Sequence, residues 1–194
     1  MTALQQTHGL RIAPIGTPAE AQSAALAKTP TLPDGTVRNL FRTLAWQPTL
    51  LARFNALAGT FMRFSEISAY DREVVILRVA ATIRSRYELG QHIPMAQDAG
   101  VADATITSLL AVSAGTASLS RSDAILVRFT DALLAEGDVD SETWRALALG
   151  RENPALVELV MLVGQYRAVG DFLNVLGVEL ESDLAALVAE WVDW

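Results

Sequence analysis

Residues 71–101 read DREVVILRVAATIRSRYELGQHIPMAQDAGV, and this stretch decides the fold. The run from Val74 to Ile83 is apolar around most of a helical circumference, and the only charge within it is Arg78. Such a run predicts a helix over 69–83 that other helices must cover on more than one side. Ser68 precedes it and can cap its first turn.

A second helix is predicted directly after the first, over 85–98. Gly100 follows it and is suited to a left-handed helix end. Pro94 lies inside this helix and is expected to kink it just after His92.

The rest of the chain continues the same helical pattern. Apolar residues recur three and four positions apart, and no run alternates with a period of two, so we predict an all-α helical bundle. A capping box is predicted where Thr17 is followed by Glu20. Further helices are expected at about 17–28, 37–46, 48–62, 102–112, 121–136, 140–149, 154–176 and 183–194.

The chain is expected to form one domain. Residues 1–16 are interpreted as a flexible N-terminal arm and residues 17–194 as a single all-α domain. An apolar helix leads to Gly-Val at 100–101 and again at 177–178, which suggests a degenerate internal helical repeat.

Composition excludes several kinds of site. The 194 residues include no cysteine and two histidines, so disulfides, thiolate nucleophiles and cysteine-based zinc sites are excluded. We expect no metal and no cofactor. The net charge is −7 without a basic patch, which argues against a nucleic-acid partner. No apolar run reaches the length of a membrane span, and the N-terminus has no secretory signal, so a cytoplasmic protein that does not bind membranes is expected.

The apolar content points to self-association. Hydrophobic residues make up 51% of the chain, and the helices predicted at 69–83 and 154–176 are apolar on two faces. A neighbouring subunit is the simplest cover for such helices, so we expect a homo-oligomer.

One polar constellation lies inside this apolar context. Ser85, Glu88 and His92 fall within an arc of about 60° on one helix face. Glu88 and His92 are four residues apart and can touch, which makes a usable acid/base unit. Glu73 lies one helix earlier and reaches the same place if the two helices pack side by side. The alternative is a surface Glu–His pair without function.

Three further residues are candidates for substrate binding. Ser85 lies on the face of Glu88 and His92, although a helix cap is the commoner role of such a serine. Tyr87 is adjacent, although it falls on another face and suits packing. Arg84 could bind an anionic group, although pairing with neighbouring acids is the commoner role.

The segment Asp71–Ala81, followed by Tyr87–His92 and Ala99–Val101, resembles the carboxymuconolactone decarboxylase family, also called AhpD-like. In the peroxidase branch of that family a Glu is followed by Cys after twelve residues, a second Cys after three more, and His after four more. Glu73, Ser85, Glu88 and His92 have this spacing, but both cysteine positions hold other residues.

The resemblance implies an AhpD-like helical bundle, a homo-oligomer (dimer, trimer or hexamer) and a pocket that holds Glu73 and His92. It does not extend to peroxidase chemistry, which needs thiols. The leading hypothesis is a cofactor-free acid/base enzyme, of the decarboxylase type of lyase, that acts on a small carboxylate, lactone or carbonyl substrate. In it Glu88 orients and charges His92, and Glu73 is the second acid/base group.

The alternative hypothesis is not an enzyme. A family member without the cysteine pair could be inactive as a peroxidase and serve as a binding or structural protein. The sequence leaves both hypotheses open.

Overall fold

The computed structural model describes residues 9–32 and 34–194, apart from the side chain of Ala114. Within these ranges the chain is built from helices without β-strands, and an isolated bridge joins Thr31 to Val37. The predicted all-α class is confirmed. The helices are α1 (Glu20–Leu26), α2 (Asn39–Leu44), α3 (Pro48–Arg63), α4 (Ala69–Thr82), α5 (Arg86–Asp98), α6 (Asp103–Leu110), α7 (Arg121–Glu136), α8 (Ser141–Ala148), α9 (Asn153–Leu176) and α10 (Ser182–Trp191), with a short 3-10 helix at Val112–Ala114.

Helix α4 is the centre of the bundle. Every residue from Arg72 to Ala81 is buried, because α5, α6, α7 and α9 pack around it. Each of these helices contributes an apolar stripe, such as Leu126 and Phe129 of α7 and Leu159 and Leu162 of α9. The apolar run that the sequence places at 69–83 is therefore covered on all sides within one chain.

Helix ends follow local side-chain chemistry. The Ser68 hydroxyl accepts the Asp71 N–H at 3.0 Å, as the sequence predicts. The helix predicted from Thr17 starts instead at Glu20, because the side chain of Gln22 accepts the N–H of Ala19 and satisfies this end of the helix. The prediction of a capping box at Thr17 was wrong.

The turn between α4 and α5 places the two helices side by side. Arg84 has a positive φ of 54°, which reverses the chain within three residues. On α9, Gly170 lies so close to Ile83 that a Cβ at this position would overlap its side chain, and Asn174 donates a hydrogen bond to the Ile83 carbonyl at 2.9 Å. Helix α9 therefore holds this turn, which comprises residues 83–85. The turn brings Glu73 of α4 beside His92 of α5.

Residues 9–16 contact the helical body. The N–H groups of Arg11 and Ile12 donate to the Leu176 carbonyl at 2.9 and 3.4 Å, and Ile15 is buried. Residues 1–8 of the predicted arm lie outside the described residues. The boundary at residue 16 and the internal repeat stay predictions.

The helices of the described chain are short or polar relative to a membrane span. None of them, including the 24-residue α9, combines the length and the apolar character that crossing a membrane requires.

An ion pair between a buried arginine and a partly exposed aspartate links α4 to α7. The Arg78 side chain is 2% exposed, and its guanidinium donates to both carboxylate oxygens of Asp131 at 2.6 Å. It also donates to the carbonyl groups of Leu109 and Val112, at 3.0 and 3.3 Å. The charge that interrupts the apolar run therefore joins α4 to three other helical segments.

Substitution of Asp131 by Asn should destabilise the fold, because it leaves the buried Arg78 without a counter-charge. We expect a loss of about 1–3 kcal/mol, less than for a fully buried pair because Asp131 is partly exposed. Urea unfolding monitored by circular dichroism measures it. The exposed Asp98→Asn variant is the control and should stay within about 0.5 kcal/mol of the wild type. Equal stability of the two variants would contradict the role assigned to the pair.

Candidate active site

The imidazole of His92 lies between two carboxylates. Its Nδ1 is 2.7 Å from Oε2 of Glu73 on α4, and its Nε2 is 3.5 Å from Oε2 of Glu88, one turn earlier on α5. The hairpin of α4 and α5 creates the first contact and helix periodicity creates the second. The structure thus brings Glu73, Glu88 and His92 together.

Arg72 completes the surroundings of Glu73. Its Nε donates to Oε1 of Glu73 at 3.0 Å, so each carboxylate oxygen faces a different cation. The Nη1 group donates to the Phe61 carbonyl at 3.3 Å. Arg72 was not predicted from the sequence, which pointed to Arg84 instead. The sequence indicates Arg72 only by its position next to Glu73. That position is weak evidence of contact, because adjacent residues of a helix ordinarily point in different directions.

Tyr166 of α9 forms another wall of the site. Its ring meets the His92 ring edge to face, with centroids 5.0 Å apart and an angle of 86°. Its hydroxyl contacts the Met62 sulfur at 3.8 Å, and a thioether is a weak acceptor. Tyr166 was not predicted from the sequence, because nothing in the sequence relates α9 to His92.

The three groups are deeply buried in the single chain. Relative exposure is 0% for Glu73, 3% for Glu88 and 7% for His92. Charges in such surroundings are weakly screened, so each group strongly affects the protonation of the others.

Glu73 and His92 stabilise each other's charged forms. Burial alone would raise the pKa of Glu73, but the charge and hydrogen bond of His92, together with Arg72, hold this pKa below its ordinary value. Burial alone would lower the pKa of His92, but Glu73 first and Glu88 second hold it above its ordinary value. The pair is therefore best described as a carboxylate and an imidazolium.

Glu88 and Tyr166 hold their protons more tightly than usual. Burial raises the pKa of Glu88 to about 7, against the charge of His92, and Glu73 adds to the rise. Burial and the charges of Glu88 and Glu73 hold the pKa of Tyr166 well above its ordinary range. Glu88 can therefore exchange a proton near neutral pH, whereas Tyr166 remains a hydroxyl donor.

The substrate-binding candidates are engaged in other ways. Ser85 is buried and caps α5, since its hydroxyl accepts the Glu88 N–H at 3.4 Å. The Tyr87 hydroxyl accepts the Leu40 N–H at 3.1 Å and donates to Glu181 at 3.0 Å. Arg84 is exposed, with its guanidinium over the ring of Trp194. The structure thus does not bring the polar groups of Tyr87 and Arg84 to His92.

No group of three or more His, Asp or Glu residues in 9–32 and 34–194 has an arrangement that could hold a metal ion.

The sequence matches a protein-family model over part of its length. Residues 48–126 match the carboxymuconolactone decarboxylase family, which confirms the resemblance stated from the sequence. No curated protein matches the chain.

Comparison with solved structures found the same fold. An uncharacterised peroxidase-related protein from Ralstonia eutropha JMP134, described as an alkylhydroperoxidase AhpD core, superposes with a TM-score of 0.74 at 15% identity, over 92% of this chain and 96% of that one. A peroxidase-related protein from Silicibacter sp. TM1040 gives a TM-score of 0.68 at 16% identity, over 88% and 97%.

A third structure is of a protein with a named activity. The debrominase Bmp8, a cysteine-to-alanine variant in complex with 2,3,4-tribromopyrrole, gives a TM-score of 0.75 at 13% identity, over 97% of this chain and 100% of that one. At these identities the likeness establishes the AhpD-like fold.

Titration of His92 should reveal its dependence on Glu73. In a His8→Gln background a single imidazole remains, so its NMR signals give one pKa. We expect this pKa to lie above the ordinary value, and to fall by about one unit or more in Glu73→Gln, because burial is then opposed by Glu88 alone. An unchanged pKa in that variant would show that the contact does not hold the charge.

The pH dependence of stability should reveal Glu88. A carboxyl group whose folded pKa lies above its unfolded pKa binds its proton more tightly when folded, so stability falls as pH rises from about 4.5 to about 7. Glu88→Gln should remove this decline, on the order of 1–3 kcal/mol. The decline due to His92, which begins above its unfolded pKa, should remain.

Urea midpoints across this pH range measure the effect, and the exposed Glu142→Gln is the matched control. The control curve should run parallel to that of the wild type. A parallel curve for Glu88→Gln as well would mean that Glu88 titrates normally.

Proposed function

From its match to the carboxymuconolactone decarboxylase family over residues 48–126, we propose that the protein is a cofactor-free acid/base enzyme that acts on a small carboxylate, lactone or carbonyl substrate. A reaction of the decarboxylase type and a cytoplasmic location are parts of this proposal. The observation that carries it is the His92 imidazole held between Glu73 at 2.7 Å and Glu88 at 3.5 Å.

Glu73 is the orienting group. Its carboxylate accepts the Nδ1–H of His92, fixes the ring and leaves Nε2 to exchange protons. The short Glu73 contact favours this assignment over the sequence-based one, in which Glu88 orients the ring. Arg72 keeps Glu73 ionised and in place, since it engages the other carboxylate oxygen.

Glu88 and Nε2 of His92 form the working pair. With a pKa of about 7, Glu88 can give or accept a proton near neutral pH, which is the condition for an efficient general acid or base. In a decarboxylation the bond to the carboxylate carbon breaks, CO2 leaves, and the electron pair moves toward a neighbouring carbonyl oxygen. A proton from Nε2 or Glu88 then restores a C–H bond at the carbon that lost CO2.

Tyr166 supports the same step. The carbonyl oxygen gains negative charge as CO2 leaves, and a neutral hydroxyl donor stabilises this charge. The Tyr166 hydroxyl stays protonated and has only the Met62 sulfur as a partner in the described chain, so a substrate oxygen would be a better acceptor.

The burial of the site favours a second candidate function. His92 is 7% exposed and Glu88 3% exposed, so little of either side chain is open to an incoming substrate. A family member of this kind without catalysis would bind a small molecule or serve as a structural protein.

Assays on a panel of small β-keto acids and carboxylated lactones, monitored for CO2 release, test the proposal. We expect kcat/KM to fall by about 10²–10⁴ in His92→Gln and by about 10² in Glu88→Gln, because these groups exchange protons in the reaction. Tyr166→Phe should lower kcat by about tenfold or more with little change in KM.

Tyr87→Phe is the matched control, since its hydroxyl is bonded to Glu181 and should leave turnover unchanged. If no member of the panel is turned over and His92→Gln loses only a thermal shift caused by one of them, the binding function is supported and the enzyme is rejected.

A further inference from the structure

Three polar groups of the candidate site have no hydrogen-bond partner in the described chain. Nη2 of Arg72 donates to none of the described residues, whereas its Nε and Nη1 groups donate to Glu73 and Phe61. Nε2 of His92 lies 3.5 Å from Glu88, too far for a good hydrogen bond, and the Glu88 carboxyl group accepts none from the described chain. Buried polar groups ordinarily have a partner, so this arrangement calls for one from outside the chain.

These three groups are open to solvent at their tips. Side chains of other residues hold the polar atoms of the described chain that are both fully buried and without a partner: Arg38, Thr43 and Asn55. The Arg72 side chain is 11% exposed, that of His92 9% and that of Glu88 4%. A small ligand can therefore reach the polar tips of side chains that are otherwise buried.

The charges of the site are unbalanced when Glu88 holds its proton. Arg72 and the His92 imidazolium then face one carboxylate, that of Glu73. The charge of Arg72 acts on His92 and also on Tyr166, so the guanidinium belongs to the same electrostatic cluster. A buried cluster with an excess cation is stabilised by an added anion, and guanidinium N–H groups suit a carboxylate.

We propose that Nη2 of Arg72 binds the carboxylate of a small anionic ligand, and that Glu88 takes up a proton as this ligand binds. An ionised Glu88 and a ligand carboxylate compete for the same cations, so the site favours one of them at a time. Occupation by the ligand therefore favours the neutral Glu88 carboxyl group, and protonation of Glu88 favours the ligand to the same extent. The inference rests on the proposed acid/base site and identifies the group by which that site selects its substrate.

Glu88 is the group whose charge changes in the relevant pH range. It faces Glu73 of α4, His92 of its own helix and Tyr166 of α9. Arg72 stays charged throughout, and the pKa of Glu73 is held below its ordinary value and that of Tyr166 well above, so none of them changes charge near pH 7. With a pKa of about 7, Glu88 is protonated below this pH and ionised above it. Affinity for a carboxylate should therefore fall as pH rises above about 7, by up to about tenfold per pH unit.

Calorimetry with levulinate (4-oxopentanoate) tests the coupling. Its carbonyl group is in the γ position, so it cannot lose CO2 by the route proposed for the site, and binding is measured apart from turnover. Titrations at about pH 6 and about pH 8, each in two buffers of different ionisation enthalpy, give Kd and the number of protons taken up. We expect almost no uptake at the lower pH, and at the higher pH an uptake approaching one proton with a Kd weaker by about tenfold.

Variants at two positions assign the parts. Glu88→Gln resembles the protonated acid, so it should bind levulinate equally at both pH values without proton uptake. Arg72→Gln should weaken levulinate binding at least about tenfold at the lower pH and leave the neutral isostere levulinamide within about twofold. Arg72→Lys keeps a cation beside Glu73 and protects folding, yet it lacks the forked donor and should still weaken levulinate binding about threefold or more. Arg121→Gln, which removes an exposed arginine, is the matched control and should leave both Kd values unchanged.

Several results would overturn the proposal. Proton uptake that persists in Glu88→Gln would assign the proton to His92. Equal effects of Arg72→Gln on levulinate and levulinamide would remove the carboxylate contact, and so would the absence of levulinate binding to the wild-type protein. Release of CO2 from the β-keto acid panel is decided separately: turnover without proton-linked levulinate binding rejects this inference alone, and the reverse rejects the enzyme alone.

Discussion

Helix α4 has no side that can face water, and the other helices are arranged by this constraint. Its buried residues run without a gap from Arg72 to Ala81, so every side needs an apolar stripe from another helix. The stripes come from α5, α6, α7 and α9. A polar residue introduced at Val75 or Leu77 would lie in the centre of this packing, with no solvent to receive it.

The charges of α4 are tolerated because each has a partner, and those partners define the molecule's chemistry. Arg78 meets Asp131 and two backbone carbonyl groups and joins helical segments. Glu73 meets Arg72 and His92, and this second arrangement leaves one imidazole nitrogen facing an ionisable acid. Two buried charges on α4 thus have different consequences. All contacts of Arg78 hold helical segments together, whereas Glu73 holds a charged His92 that still has a proton to exchange.

The sequence predicts those features that depend on periodicity and on neighbours along the chain. It predicts the helices, the Ser68 cap and the proximity of Glu88 to His92, because these follow from spacing on one helix. It names Glu73 from its place one helix earlier, and the family resemblance has the same spacing, but the contact with His92 depends on how α4 and α5 fold back. Neither source indicated Tyr166, because its ring reaches His92 only through the packing of α9, which no local pattern encodes. Thr17 was misassigned because Gln22, a side chain inside the helix, competes for the same role.

The hairpin of α4 and α5 separates geometry from chemistry. The positions in space of Glu73, residue 85, residue 88 and His92 are set by the turn at Arg84 and by the close approach of Gly170 to Ile83. At residue 85 this chain has a hydroxyl that caps α5, and at residue 88 a carboxyl group with a pKa near 7. With thiols at these positions the same frame could support a two-electron redox cycle. With serine and glutamate the same frame places a hydroxyl cap and an ionisable carboxyl group beside a charged imidazole, so the side chains at these two positions decide which chemistry the frame excludes.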